Sequence, residues 1–248
     1  MYLHGFLGCL DDWREITDGL GSTFTHLTVD LPGHRMRADK LGEEQYTMPG
    51  CAKLVIDLLD YLQIEQTHLV AYSMGGRLGL YLLTHYPQRF NRAVIESASP
   101  GLRSEYERTA RRELEHQLIE QLRNRPLDQF LREWYDQPLF QSMKKSDPRF
   151  ALMLDRRSAH DPEALALSLE QMGTSVQPSL WDKLDDMHLP VMFIAGANDN
   201  KYCHQAESMA NLCSAGQSTI ILETGHNTHW ERPEEFCRLV RSFLIGQK

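Results

Sequence analysis

The stretch Thr67-His68-Leu69-Val70-Ala71-Tyr72-Ser73-Met74-Gly75-Gly76-Arg77 constrains this chain more than any other. An apolar run stops at a serine and glycines follow at once, which reads as a strand, a sharp turn and a helix start. Such a turn exposes one hydroxyl at the helix N-terminus, where free backbone N–H groups favour negative charge. A serine in that place acts as a nucleophile when a base lies nearby. The usual pattern is G-x-S-x-G, and here Ala71 stands for the first glycine. Alanine is still small enough to let strand and helix approach.

Bulk properties narrow the field. A chain of 248 residues suits one large domain, or one domain carrying an insertion, and 42% hydrophobic residues supply a sizeable core. No apolar run reaches the roughly 18 residues of a membrane helix, so no membrane partner is expected. The start Met1-Tyr2-Leu3-His4-Gly5 lacks the basic and apolar regions of a signal peptide. Cys9, Cys51, Cys203, Cys213 and Cys237 are odd in number, scattered and free of C-x-x-C spacing, so they read as reduced thiols of a cytoplasmic protein. A net charge of −8 argues against nucleic acid. It also disfavours an acidic substrate at long range, unless the site gathers its own cations. The expected partner is a small molecule, with no cofactor and no metal, and the expected state is a monomer or small homo-oligomer.

Taken in order, Leu3-His4-Gly5-Phe6-Leu7-Gly8 reads as a strand end and a glycine-rich loop, with residues 1–3 left for the strand. That abrupt start suggests a truncated N-terminus. A short helix is expected from Trp13 to Leu20, a strand over Thr25–Asp30, and a helix over 48–63 with apolar residues at helical spacing. The strand at 67–71 and the turn at Ser73 lead into a helix closed by Pro87, then a strand over Asn91–Ser97. After Pro100, residues 101–188 hold no convincing strand and are rich in Arg, Glu, Gln and Leu at helical spacing, a helical insertion. Strands resume at 189–196 and 218–222, with helices near 203–213 and from Pro233. Alternating strands and helices predict a mostly parallel sheet flanked by helices on both faces. The core is expected over residues 1–99 and 189–248, with the insertion forming a helical lid over 100–188.

In such a sheet the active residues sit on loops at the carboxyl ends of strands. Ser73, Asp199 and His226 fall there in turn. A histidine with a pKa near neutrality can take the serine proton, and a carboxylate fixes its tautomer and stabilises the imidazolium. Competing positions are His229 for the base and Glu223 or Asp182 for the acid. The backbone N–H groups of Phe6 and Met74 can serve as an oxyanion hole, worth about 3 kcal/mol each, while His4 is expected to brace the loop. Arg77 lies one turn after Ser73, on a helix expected to be buried. There it is either half of a structural ion pair or a fork for a substrate carboxylate. Arg111 or Arg112 and Arg156 or Arg157 are further candidates from the insertion.

Together these residues resemble the α/β-hydrolase superfamily, and within it the 2-succinyl-6-hydroxy-2,4-cyclohexadiene-1-carboxylate synthases of menaquinone biosynthesis. The likeness rests on His4-Gly5-Phe6-Leu7-Gly8 through Trp13 and on Tyr72-Ser73-Met74-Gly75-Gly76-Arg77. Trp134-Tyr135-Asp136-Gln137-Pro138, Arg157-Ser158, Val176-Gln177-Pro178 and Gly225-His226-Asn227-Thr228-His229 extend it. It departs in Ala71 and in the strands that normally precede the His-Gly loop. The resemblance implies an α/β-hydrolase fold with a helical lid and an elimination rather than a hydrolysis. Pyruvate would leave 2-succinyl-5-enolpyruvyl-6-hydroxy-3-cyclohexene-1-carboxylate, a small polycarboxylate. Ser73, activated by His226 and Asp199, would abstract a ring proton. Arg77, Arg111 and Arg157 would hold carboxylates, and Tyr72 and Trp134 would line the substrate, with Arg108 and Arg112 competing for the place of Arg111. The alternative is a hydrolase of carboxylic esters or of C–C bonds in vinylogous diketones.

Overall fold

The computed structural model describes residues 1–145 and 147–246; Ser146, Gln247 and Lys248 fall in the expected lid and core ranges but lie outside the described residues. The chain runs β1 (Tyr2–Leu3), α1 (Arg14–Leu20), β2 (Thr28–Val29), α2 (Met48–Tyr61), β3 (Thr67–Tyr72), α3 (Met74–His85) and β4 (Phe90–Glu96). The insertion follows as α4 (Glu105–Asn124), α5 (Leu127–Tyr135), α6 (Pro148–Ser158) and α7 (Pro162–Met172). The core resumes with β5 (Val191–Gly196), α8 (Asn200–Leu212), β6 (Gly216–Ile221), α9 (Thr228–Glu231) and α10 (Pro233–Ile245). The expected strand over Thr25–Asp30 contracts to β2, whose residues pair only with the short β1. The expected helix at 203–213 starts earlier, because Asp199 caps it by accepting the Tyr202 N–H.

The six strands form one parallel sheet in the order β2-β1-β3-β4-β5-β6. Period-two alternation divides each strand between two apolar layers. Leu69 and Ala71 of β3 face the layer built by α2, α3 and α8, while Val70 and Tyr72 face the layer built by α1 and α10. Strand order reverses between β1 and β3, and the crevice at the carboxyl ends of such a reversal is where α/β sheets bind ligands. The loops leaving β1 and β3 carry Phe6 and Ser73.

The insertion packs as helices over that crevice. Its own apolar cluster of Ile119, Leu122, Phe130, Leu131, Leu165 and Leu169 takes in Leu7 from the loop after β1. A second cluster joins Tyr135, Phe140, Met143, Phe150 and Met153. The chain returns to the main core by Leu180, Trp181, Leu184 and Met187, which pack with α2 and α3. At the neck the Leu180 N–H donates to Pro100 O (2.7 Å).

Candidate active site

The turn between β3 and α3 is strained. Ser73 has φ 50° and ψ −108°, a left-handed conformation that costs a non-glycine residue of order 1–3 kcal/mol. Close packing enforces it. A Cβ on Gly75 would meet Leu3 O and His4 O at 2.5 Å, and one on Gly76 would meet the Ala98 Cβ at 2.7 Å. Only glycine lets α3 start this near β1 and β4. Ala71 is fully buried, and a Cβ on Gly79 would come within 3.2 Å of its methyl. The helix therefore has its glycine opposite the place where the strand has its extra methyl.

Around this turn the three expected groups converge. The His226 Nδ1–H donates to Asp199 Oδ2 (2.7 Å), and the Ser73 hydroxyl donates to His226 Nε2 (3.1 Å). Asp199 and His226 are buried, and Ser73 is half-buried. Asp199 spends its other oxygen on the N-cap of α8, so one carboxylate orients both the helix and the imidazole. The competitors lie elsewhere. Glu223 is exposed and pairs with Arg232, Asp182 is exposed on the return from the lid, and His229 points its Nδ1 at Glu96 Oε2 (2.6 Å). Among the described residues no acceptor takes the N–H of Phe6 or of Met74, so both donors remain available beside Ser73.

Glu96 is a residue that sequence reasoning missed. Fully buried at the end of β4, it accepts from the Thr228 hydroxyl (2.7 Å), the His229 N–H (3.0 Å) and His229 Nδ1. Its own carbonyl accepts the Ser73 N–H (2.9 Å). It thus ties the histidine loop to the serine turn. The readable signal was an acid closing an otherwise apolar strand, since a charge there needs partners.

The arginines divide. Arg77 is 9% exposed, and its Nη1 donates to Met172 O (2.8 Å) and Gln177 Oε1 (3.2 Å), both neutral acceptors from the lid and its return. Among the described residues it makes no ion pair with a carboxylate. Burial lowers its pKa to about 10, which leaves it cationic at neutral pH. Arg111 pairs instead with Glu115 (2.8 Å), whose carboxylate also caps the Thr174 and Ser175 N–H groups. Arg112 pairs with Glu105, and Arg108 donates to the carbonyls of Ser175, Gln177 and Leu102. Arg157, expected to face substrate, has its fork on Asp12 (3.1 and 2.8 Å) and its Nε on the Tyr135 hydroxyl (2.6 Å). Burial would raise the Asp12 pKa, but the charge and hydrogen bonds of Arg157 outweigh it and hold the carboxyl at about 2. Arg156 also approaches Asp12.

Tyr72 is buried with its ring between His226 (5.5 Å) and His229 (4.9 Å). Trp134 is half-buried over Phe6, ring centroids 5.3 Å apart. The space between the Phe6 loop, Tyr72 and Arg157 is a cavity of about 20 Å³, room for one water. Small-molecule pockets run to ~300–1,000 Å³, so this space does not take a ring-sized substrate with the lid as it sits. Among the described residues no cluster of acids, histidines or cysteines is placed to hold a metal ion, and no helix is long and apolar enough to cross a membrane.

A serine–histidine–aspartate set at a strained strand-to-helix turn, on a parallel sheet with an inserted lid, defines the α/β-hydrolase fold, and the model of that family matches residues 1–233. The chain belongs to it. Within it the chain belongs with the 2-succinyl-6-hydroxy-2,4-cyclohexadiene-1-carboxylate synthases. It is 30% identical over 246 residues to the putative synthase of Bacillus subtilis (strain 168), covering 98% of this chain and 89% of that one. To the synthase of Serratia proteamaculans (strain 568) it is 31% identical over 247 residues, covering 99% and 92%. The solved structure of MenH from S. aureus superposes with a TM-score of 0.92 at 29% identity, covering 99% of this chain and 92% of that one. The enol-lactonase of Burkholderia xenovorans LB400, at 19% identity and a TM-score of 0.83, shares the fold.

Proposed function

We propose that the chain eliminates pyruvate from 2-succinyl-5-enolpyruvyl-6-hydroxy-3-cyclohexene-1-carboxylate to give 2-succinyl-6-hydroxy-2,4-cyclohexadiene-1-carboxylate, a step of menaquinone biosynthesis. The observation that carries this reading is Arg77, a buried cation one turn from Ser73 that no carboxylate of the described chain pairs with. A triad alone serves ester cleavage equally well. An unpaired buried guanidinium beside it suits a substrate bearing carboxylates.

The geometry supports the following roles. His226 Nε2 takes the Ser73 proton, and Ser73 Oγ takes the proton from the ring carbon that bears the succinyl group. Charge then develops on the succinyl carbonyl oxygen, where the Phe6 and Met74 N–H groups receive it. As the electrons return, the ring double bond shifts and a second forms at the carbon bearing the enolpyruvyl oxygen. That C–O bond breaks, and the pyruvate enolate departs and takes up the proton the base removed. Arg77 holds a substrate carboxylate through the N–H groups not given to Met172 and Gln177. Arg157 and Arg111, already paired, shape the walls. A cytoplasmic setting fits the five free cysteines. Pyruvate appearance, followed through lactate dehydrogenase, tests the reading: the enzyme releases pyruvate and turns over p-nitrophenyl acetate slowly. Rapid ester turnover with no pyruvate would replace the lyase with a hydrolase.

A further inference from the structure

The Phe6 N–H is aimed by its neighbour, and that neighbour is held from outside the loop. Leu7 has φ 64°, a left-handed conformation that disfavours a residue with a Cβ. Its side chain is fully buried, and it sits in the apolar cluster of the lid. Both polar groups of its backbone are taken by histidines. The Leu7 N–H donates to His34 Nε2 (3.1 Å), and His160 Nε2–H donates to Leu7 O (3.0 Å).

Donors and acceptors fix the proton on each ring. His34 accepts at Nε2, so its Nδ1–H donates to Pro32 O (3.2 Å). His160 accepts the Arg35 N–H at Nδ1 (2.9 Å), so its proton is on Nε2. The two rings stand edge to face, 5.5 Å apart. His4 does the same one step earlier, taking the Leu31 N–H at Nε2 (3.0 Å) and giving Nδ1–H to Gly5 O (2.8 Å). All three are buried, and none can gain a proton without turning a backbone N–H against an N–H. His4 and His34 belong to the core loops, but His160 lies between α6 and α7, in the lid.

We infer that His160 is a positioning residue for the oxyanion hole: through Leu7 O it holds Leu7, the residue after Phe6, in its left-handed conformation, and so makes a seated lid part of that hole. This rests on the reading of Phe6 as an oxyanion donor in the proposed lyase. A lid that lifts to admit substrate carries His160 away from Leu7, and a lid that closes restores the donor. The hole is complete only with the lid seated.

The test compares three variants of the full chain. His160→Gln keeps an N–H near the Nε2 position for Leu7 O, His160→Asn keeps an acceptor near Nδ1 for the Arg35 N–H, and His160→Ala keeps neither. Two readouts are taken: kcat and KM for pyruvate release, and the rate at which a fluorophosphonate probe labels Ser73, whose phosphoryl oxygen occupies the same hole. Loss of a whole oxyanion donor costs about 10²–10³-fold in kcat, so misaiming one is expected to cost about 10–100-fold in kcat and in labelling for H160A and H160N, with KM nearly unchanged. H160Q is expected to stay within about fivefold of wild type on the same scale, although H160Q and H160N lose similar thermal stability. Equal kcat for H160Q and H160N, losses that track the melting temperature, or a fully active H160A would overturn the proposal. Should H160A fail to fold, the Gln and Asn pair decides alone. A wild type that labels with fluorophosphonate but releases no pyruvate defeats the lyase reading, and labelling then still decides the role of His160.

Discussion

The carboxyl edge of the sheet and the lid above it hold their functional groups in different ways. At the sheet edge each group is placed by backbone: Ser73 by a turn that glycines enforce, Asp199 by capping α8, and His226 by a loop hung from Glu96. In the lid, groups are placed by the charge they meet. Arg111 has Glu115, Arg123 has Glu163 and Glu170, and Arg157 has Asp12. The difference teaches where chemistry is rigid. Strand ends cannot shift without moving the sheet, and the groups proposed to react sit on the loops that leave them. Helical arginines of the lid are committed to carboxylates within it or to one on the core loop beneath it. Arg77 belongs to the sheet edge in sequence but touches the lid, and no carboxylate of the described chain pairs with it.

The comparison is broken most severely at the sheet edge. Ser73→Ala removes the group proposed to take the ring proton, and a positioned base is worth about 10²–10⁴-fold. Single-turnover pyruvate release is expected to fall by that much with the melting temperature unchanged or raised, since alanine relieves nothing that packs. A variant that keeps more than about a tenth of the wild-type rate takes the base role from Ser73. The latch comes next. Asp12→Ala leaves the Arg157 guanidinium buried without its carboxylate, a loss of about 3–5 kcal/mol. At about 2–4 °C per kcal/mol for a chain of this size, the melting temperature is expected to drop by about 10 °C. Replacing both partners by apolar residues, D12L with R157M, recovers most of it. A double variant as unstable as the single one would place the loss in packing.

These contrasts also explain what was legible. The serine turn is written in adjacent residues, because strain and close approach demand glycines within three positions of Ser73. Asp199 and His226 follow from strand ends, since β5 and β6 are readable by their apolar runs. The short β2 was overread: Leu27 and Val29 alternate as a strand should, but only two residues find a partner. The ties that set geometry were illegible, because they join residues far apart. Glu96 meets Thr228 across 132 positions, Asp12 meets Arg157 across 145, and Leu7 meets His160 across 153. Nothing local distinguishes Asp12 from a solvated acid at a helix start, or Arg157 from a solvated helical arginine.

Acid separates the histidine brace from the Asp12 latch. Unfolded, a histidine titrates near 6.5; burial disfavours the imidazolium, so His4 and His160 titrate at about 4 and His34 well below its ordinary value. The native chain binds fewer protons than the unfolded one in this window. Stability is therefore whole above pH 6.5 and falls as pH drops from 6.5 toward 4, by ~3 kcal/mol for each of His4 and His160. The Asp12 contribution behaves oppositely in position: it is present above the ordinary carboxyl value of 3.8 and is lost only as pH falls toward 2. Denaturant midpoints at pH 7, 5.5 and 4.5 are expected to fall steadily. A profile flat down to pH 4.5 would mean that the rings are not held neutral.

Arg77 sharpens the comparison at the point where the regions meet, and its two effects have opposite signs. Arg77→Met removes a buried cation that no carboxylate of the described chain pairs with, so stability is expected to hold or rise. The same change removes the proposed charge-assisted contact to a substrate carboxylate, worth ~2 kcal/mol, or about 30-fold in kcat/KM for pyruvate release. Arg77→Lys keeps the charge but loses the fork, and falls between. Fluorophosphonate labelling of Ser73 is the control, because that probe has no carboxylate to offer. Labelling at the wild-type rate in R77M assigns the loss to substrate binding. Labelling that falls in step with pyruvate release would instead make Arg77 a support of the serine turn, acting through its grip on Met172 and Gln177, and the case for a polyanionic substrate would lose its main observation.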